Sequence, residues 1–167
     1  MGRAELLPVE RATTLFAREP AVRLTPASLA RAADTLGLAV RIQPEKRFAS
    51  GSLAREDHAV IEVELSGERA SYEVRLAARA TRRELVGAGA KRARALGGGG
   101  MDALIEGSRF VLQIGTPCDG SAGAPLLGLA AVLSASYLAA ILPADSSEPV
   151  IGAKTALARF ERARGPR

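Results

Sequence analysis

The sequence has no tryptophan, one cysteine (Cys118) and one histidine (His58), and only 4% of its residues are aromatic. Each shortage excludes something. One thiol forms no internal disulfide and builds no thiolate metal centre. One histidine leaves little for an imidazole metal site or for a nucleophile that needs a nearby base. So few aromatic rings leave little to stack on bases or sugars once a core is filled. Lysine is also scarce, three residues against 20 arginines among the 23 basic ones. That skew, together with the alanine richness, reads as the codon bias of a GC-rich bacterial genome rather than as selection for phosphate contacts. The N-terminus carries no apolar stretch before Glu10 and Arg11, so no secretory signal is read and the cytoplasm is the expected compartment.

What is present suits a globular domain. With 167 residues, 47% hydrophobic and 25% charged, the chain is expected to form one domain, with residues 1–20 and 161–167 peripheral. Pro8 to Ala17 reads as a short helix and Ala21 to Leu24 as a short strand. Thr25 and Pro26 then supply an N-cap and a first-turn proline. Leu29, Ala32, Ala33 and Leu36 recur at helical spacing until Gly37, which predicts a helix over 26–36. A strand follows over 38–42, and 44–57 reads as a loop.

Residues 58–77 predict a hairpin. With Gly67-Glu68 as the two-residue turn, Leu65 faces Ala70, Val63 faces Tyr72, Ile61 faces Val74 and Ala59 faces Leu76, giving one wholly apolar face. The other face carries His58, Glu62, Glu64, Glu73 and Arg75, with Glu62 opposite Glu73. Residues 81–96 predict an amphipathic helix with a basic exterior, in which Gly87 and Gly89 are expected to permit close packing. The run Gly97 to Gly100 ends it, and 108–114 alternates as a strand.

The apolar run Leu126 to Leu142 is 17 residues without charge, about 26 Å as a helix at 1.5 Å per residue, just short of a bilayer crossing. No basic residue adjoins it to set an orientation, so a buried helix over 126–138 is preferred to a membrane span, with 138–142 available as a strand. A last amphipathic helix over 151–164 points Leu157 and Phe160 inward. The expected class is therefore α+β, a mainly antiparallel sheet of about four to five strands against a single layer of helices.

No constellation for chemistry is complete. Cys118 and Asp119 lie in a glycine-rich turn, Ile-Gly-Thr-Pro-Cys-Asp-Gly-Ser-Ala-Gly, whose amides would suit an anion or lower a thiol pKa. The phosphatase loop, however, needs arginine where Ala124 stands. The nucleotide phosphate loop needs lysine where Ser121 follows Gly120. One histidine with scattered carboxylates matches no metal spacing, so no metal and no cofactor are expected. The basic helix and the arginine-rich C-terminus bring no helix-turn-helix or zinc signature, which makes nucleic acid the weaker partner class. The layout is faintly similar to small bacterial accessory and toxin-immunity domains, a likeness that no motif carries. The expectation is a non-catalytic cytoplasmic domain that binds a protein partner through Glu62, Glu64, Glu73, Arg82, Arg83 and Arg92. The alternatives are a small enzyme using Cys118 and Asp119, and a protein held in the membrane by residues 126–142.

Overall fold

The structure, a computed structural model, describes residues 6–18, 26–43, 57–78, 83–96, 99–115 and 123–166. A 3-10 turn at Val9–Arg11 leads into β1 (Ala12–Ala17). Then come α1 (Pro26–Asp34), β2 (Ala39–Gln43), β3 (Asp57–Leu65), β4 (Glu68–Ala78), α2 (Arg83–Leu96), α3 (Met101–Glu106), β5 (Phe110–Gly115), α4 (Ala124–Tyr137), β6 (Ala139–Leu142) and α5 (Ala153–Arg164). The six strands form one sheet in the order β2-β3-β4-β5-β1-β6, and every neighbouring pair is antiparallel. The class is α+β, with six strands where four to five were expected.

The extra strand at the interior of the sheet corrects the reading of Pro8 to Ala17 as a helix. Ala12–Ala17 is buried along its whole length between β5 and β6, so the expected peripheral position of the first twenty residues does not hold for it. A strand buried on both faces loses the period-two alternation that would announce it. The short strand expected at 21–24 lies outside the described residues.

Two apolar clusters explain how the sheet is covered. Leu15, Phe110, Leu112, Ile114 and Ile141 point to one face, where Leu29 of α1, Leu129 and Leu133 of α4 and Phe160 of α5 meet them. Phe16, Val111, Ala140 and Leu142 point to the other, under Val86, Ala90 and Ala93 of α2 and Ile105 of α3. Helices therefore lie on both faces of the β1–β5–β6 half rather than in the single layer expected. Gly89 sets how closely α2 approaches: a Cβ there would stand 2.7 Å from Phe16 Cε2. Gly87, expected to serve the same purpose, faces open space.

The uncharged run at 126–142 is divided. α4 is buried almost all round and ends at Tyr137, and Leu138, at φ 50°, turns the chain into β6. Among the described residues no helix is long and apolar enough to cross a membrane. Gly128 allows α4 to pack tightly, since a Cβ would lie 2.5 Å from Leu38 Cδ1 and 3.0 Å from Phe160 Cε2. Tyr137 meets Phe110 edge-on at 5.4 Å, and burial raises its phenol pKa.

The hairpin forms with a register two residues from the expected one. Ser66 and Gly67, at φ 52° and 85°, are the two turn residues, so Leu65 faces Glu68 and Val63 faces Ala70. Both central residues at positive φ make a turn whose twist matches that of the strands. A two-residue shift keeps every side chain on its face and changes only its partner. Glu62 therefore faces Ser71 instead of Glu73, and Glu64 faces Arg69. The observed pairing removes a like-charge contact and gains an ion pair.

Candidate functional site

The face of the sheet beneath α2 and α3 continues from β1 and β5 onto β4, β3 and β2. A row across it pairs Arg75 with Gln113 and Gln113 with Thr14. Gln113 marks the border. It is fully buried; its Oε1 accepts from Leu7 N–H at 2.8 Å and its Nε2 donates to Leu7 C=O at 2.8 Å, so its carboxamide holds the N-terminal segment as a paired strand would.

Beyond that border, among the described residues, no apolar cluster forms on this face and no helix packs there. Alternation in β2, β3 and β4 puts Val63, Ile61, Tyr72 and Val74 into the core and turns Arg41, Glu62, Glu64, Arg69, Ser71, Glu73 and Arg75 outward. The outward charges are matched. Arg41 stands opposite Glu62, Arg69 Nε donates to Glu64 Oε2 at 2.8 Å, and Arg75 Nη2 donates to Glu73 Oε2 at 2.5 Å. Arg75 is well enclosed, its side chain 17% exposed. Its Nη1 is buried with no acceptor among the described residues.

The structure thus brings Glu62, Glu64 and Glu73 onto one surface, although not in the expected pairing. Arg83 is exposed at the start of α2. Arg92 is placed elsewhere: its Nη1 donates to the carbonyls of Pro143 at 2.5 Å and Asp145 at 3.1 Å, fastening α2 to the connection after β6. Arg82, Cys118 and Asp119 lie outside the described residues, as does the side chain of His58. The other arginines of the two basic stretches are largely engaged internally. Arg94 binds Asp102 and Glu106, Arg159 binds Glu148, and Arg164 donates to Leu36 C=O at 2.8 Å while lying over the Phe160 ring. Among the described residues no three His, Cys, Asp or Glu side chains group as metal ligands would.

A second feature escaped the sequence. Glu10 and Thr13, the first half of α4, the connection after β6 and the face of α5 enclose an open cavity of about 310 Å³. Its residues are scattered from position 10 to position 159. The one local sign was Asp145-Ser146-Ser147, where Asp145 Oδ1 accepts from Ser147 N–H at 2.8 Å and from its hydroxyl at 2.7 Å. Those bonds, with the Arg92 charge nearby, lower the Asp145 pKa.

No protein-family model matches the chain, and no curated protein and no solved structure matches it.

Proposed function

We propose that the protein is a non-catalytic cytoplasmic binding domain whose partner is another protein, seated on the uncovered half of the sheet over Glu62, Glu64 and Glu73. The supporting observation is the unequal treatment of one face: α2 and α3 bury it over β1, β5 and β6, whereas over β2, β3 and β4 no helix among the described residues packs on that same face. A rigid antiparallel surface with side chains in fixed register suits a protein partner, because alternating charges specify orientation and suppress wrong pairings. Nucleic acid is the less fitting partner. It needs basic side chains free and gathered on one surface, whereas Arg92, Arg94, Arg159 and Arg164 bind the protein's own oxygens. Arg83, exposed on α2, could contact a partner that extends beyond the sheet.

The test is purification of the tagged full chain from its host beside Glu62→Arg/Glu73→Arg and a Lys154→Glu control on α5. A soluble protein recovered in stoichiometric amount with the wild type and the control, and lost with the double variant, is the expected result. Retention of that protein by the double variant, or recovery of nucleic acid in its place, contradicts the assignment.

A further inference from the structure

The two edges of the sheet are treated differently. At one end β6 has its outer side engaged: Ile141 N–H donates to Ile151 C=O at 2.8 Å, and Ile151 N–H donates to Ile141 C=O at 3.0 Å. At the other end β2 pairs with β3 on one side, and among the described residues no strand or bridge meets its other side. An open edge offers amides and carbonyls to any strand that fits them, and proteins guard such edges with proline, a bulge or an inward-pointing charge. Ala39–Gln43 has none of these. It contains no proline, and its residues pair with β3 one for one. Val40 and Ile42, opposite Val63 and Ile61, take the inward positions, so its one charge, Arg41, points outward. Val40 is only partly buried, although it packs against the core.

The register identifies the strand that fits. A two-fold axis normal to the sheet pairs β2 antiparallel with a second β2 and passes through one residue pair. An axis through Arg41 sets two guanidinium groups face to face, which is destabilising. An axis through Val40 sets valine against valine on the core side and brings Arg41 opposite Ala39 of the other copy. Ala39 in turn stands opposite Glu64 on β3. The row across the junction then reads Glu62 and Arg41 from one copy, followed by Ala39, Glu64 and Arg69 from the other. The small Ala39 side chain leaves Arg41 clear to reach Glu64 over two strand spacings, about 10 Å, which two long side chains span.

We infer that two copies of this chain associate edge to edge through β2, joining their six-stranded sheets into one, with Val40 on the two-fold axis and Arg41 of each copy paired with Glu64 of the other. Ile151 occupies the outer side of β6, so the joined sheet does not grow from its far ends and assembly closes at two. The junction uses the backbone edge rather than the open face, so it stands independently of the protein partner proposed above.

Sedimentation equilibrium of the purified full chain, from micromolar to millimolar concentration, tests the inference with two surface variants. The wild type is expected to reach twice the 17.4 kDa of one chain. Arg41→Glu brings two carboxylates together across the junction and Glu64→Arg brings two guanidinium groups together, so each alone should weaken self-association by about tenfold or more. An equimolar mixture of the two variants restores opposite charges at both symmetry-related positions and should recover the dimer. A wild type that stays monomeric throughout, a dimer indifferent to both variants, or variants that do not recover on mixing overturns the inference.

Discussion

Phe16 and Glu73 lie on the same side of one sheet, two strands apart, and their surroundings differ completely. Phe16 is fully buried beneath α2, where Gly89 removes the side chain that would hold the helix off. Glu73 has a side chain 55% exposed and is joined to Arg75 at the surface. The two halves share backbone hydrogen bonding and register, so the sheet alone does not decide what is buried. Helix coverage decides it. Where α2 and α3 pack, the strands carry apolar residues on both faces; where no described helix packs, the outward positions carry matched charges. Such a division concentrates stability in β1, β5 and β6 and leaves the remaining strands able to present a surface.

The largest expected effect sharpens that division directly. Phe16→Ala removes a fully buried ring and should cost roughly 3–5 kcal/mol in urea unfolding. Val60→Ala, on the open face, should cost less than about 1 kcal/mol, since truncation of a part-exposed side chain leaves no closed cavity. Equal losses would mean that the two halves are not distinct. A smaller contrast falls within α2. Gly89→Ala forces a methyl to within 2.7 Å of Phe16 and should destabilise by about 1–3 kcal/mol, as overpacking does. Gly87→Ala meets nothing within 4 Å and should instead stabilise by roughly 0.5–1 kcal/mol, the helix-propensity gain over glycine. Opposite signs from two glycines two positions apart would establish which face of α2 meets the sheet.

The smallest effect belongs to the open half. Glu64 and Arg69 are 38% and 70% exposed, and a double-mutant cycle between them should give a coupling of about 0.2–1 kcal/mol that fades as salt is added. A coupling several times larger, or one indifferent to salt, would place this pair in a dry environment and contradict an open face.

How much of this could be read in the sequence follows from what periodicity records. The helix at 26–34 and the two hairpin strands follow from one-sided apolar spacing and turn residues. The buried elements α4, β5 and β6 are legible too, because their apolar runs are long or alternate. Ala12–Ala17 is not legible as a strand: it is buried on both faces, holds two threonines and follows Pro8, so its pattern reads equally well as a first helical turn. The hairpin register slipped by two because alternation fixes the face and not the partner, and Ser66 gives little sign that it adopts positive φ. Met101–Glu106 is one short turn of helix behind a glycine run and carries no periodic signal. Glu62, Glu64 and Glu73 were recognised as one surface from alternation alone. The basic stretch that holds Arg92 suggests the same surface, whereas only the fold shows that Arg92 reaches the carbonyls of Pro143 and Asp145. The cavity depends on contacts between residues more than a hundred positions apart, which no local pattern encodes.

The most direct test of the open face as the docking surface is carbodiimide labelling of carboxylates in the purified complex and in the free protein, read by peptide mass spectrometry. Loss of labelling at Glu62, Glu64 and Glu73 on complex formation, with Glu161 on α5 unchanged, is the predicted result. Unchanged labelling of those three glutamates with protection elsewhere would contradict it.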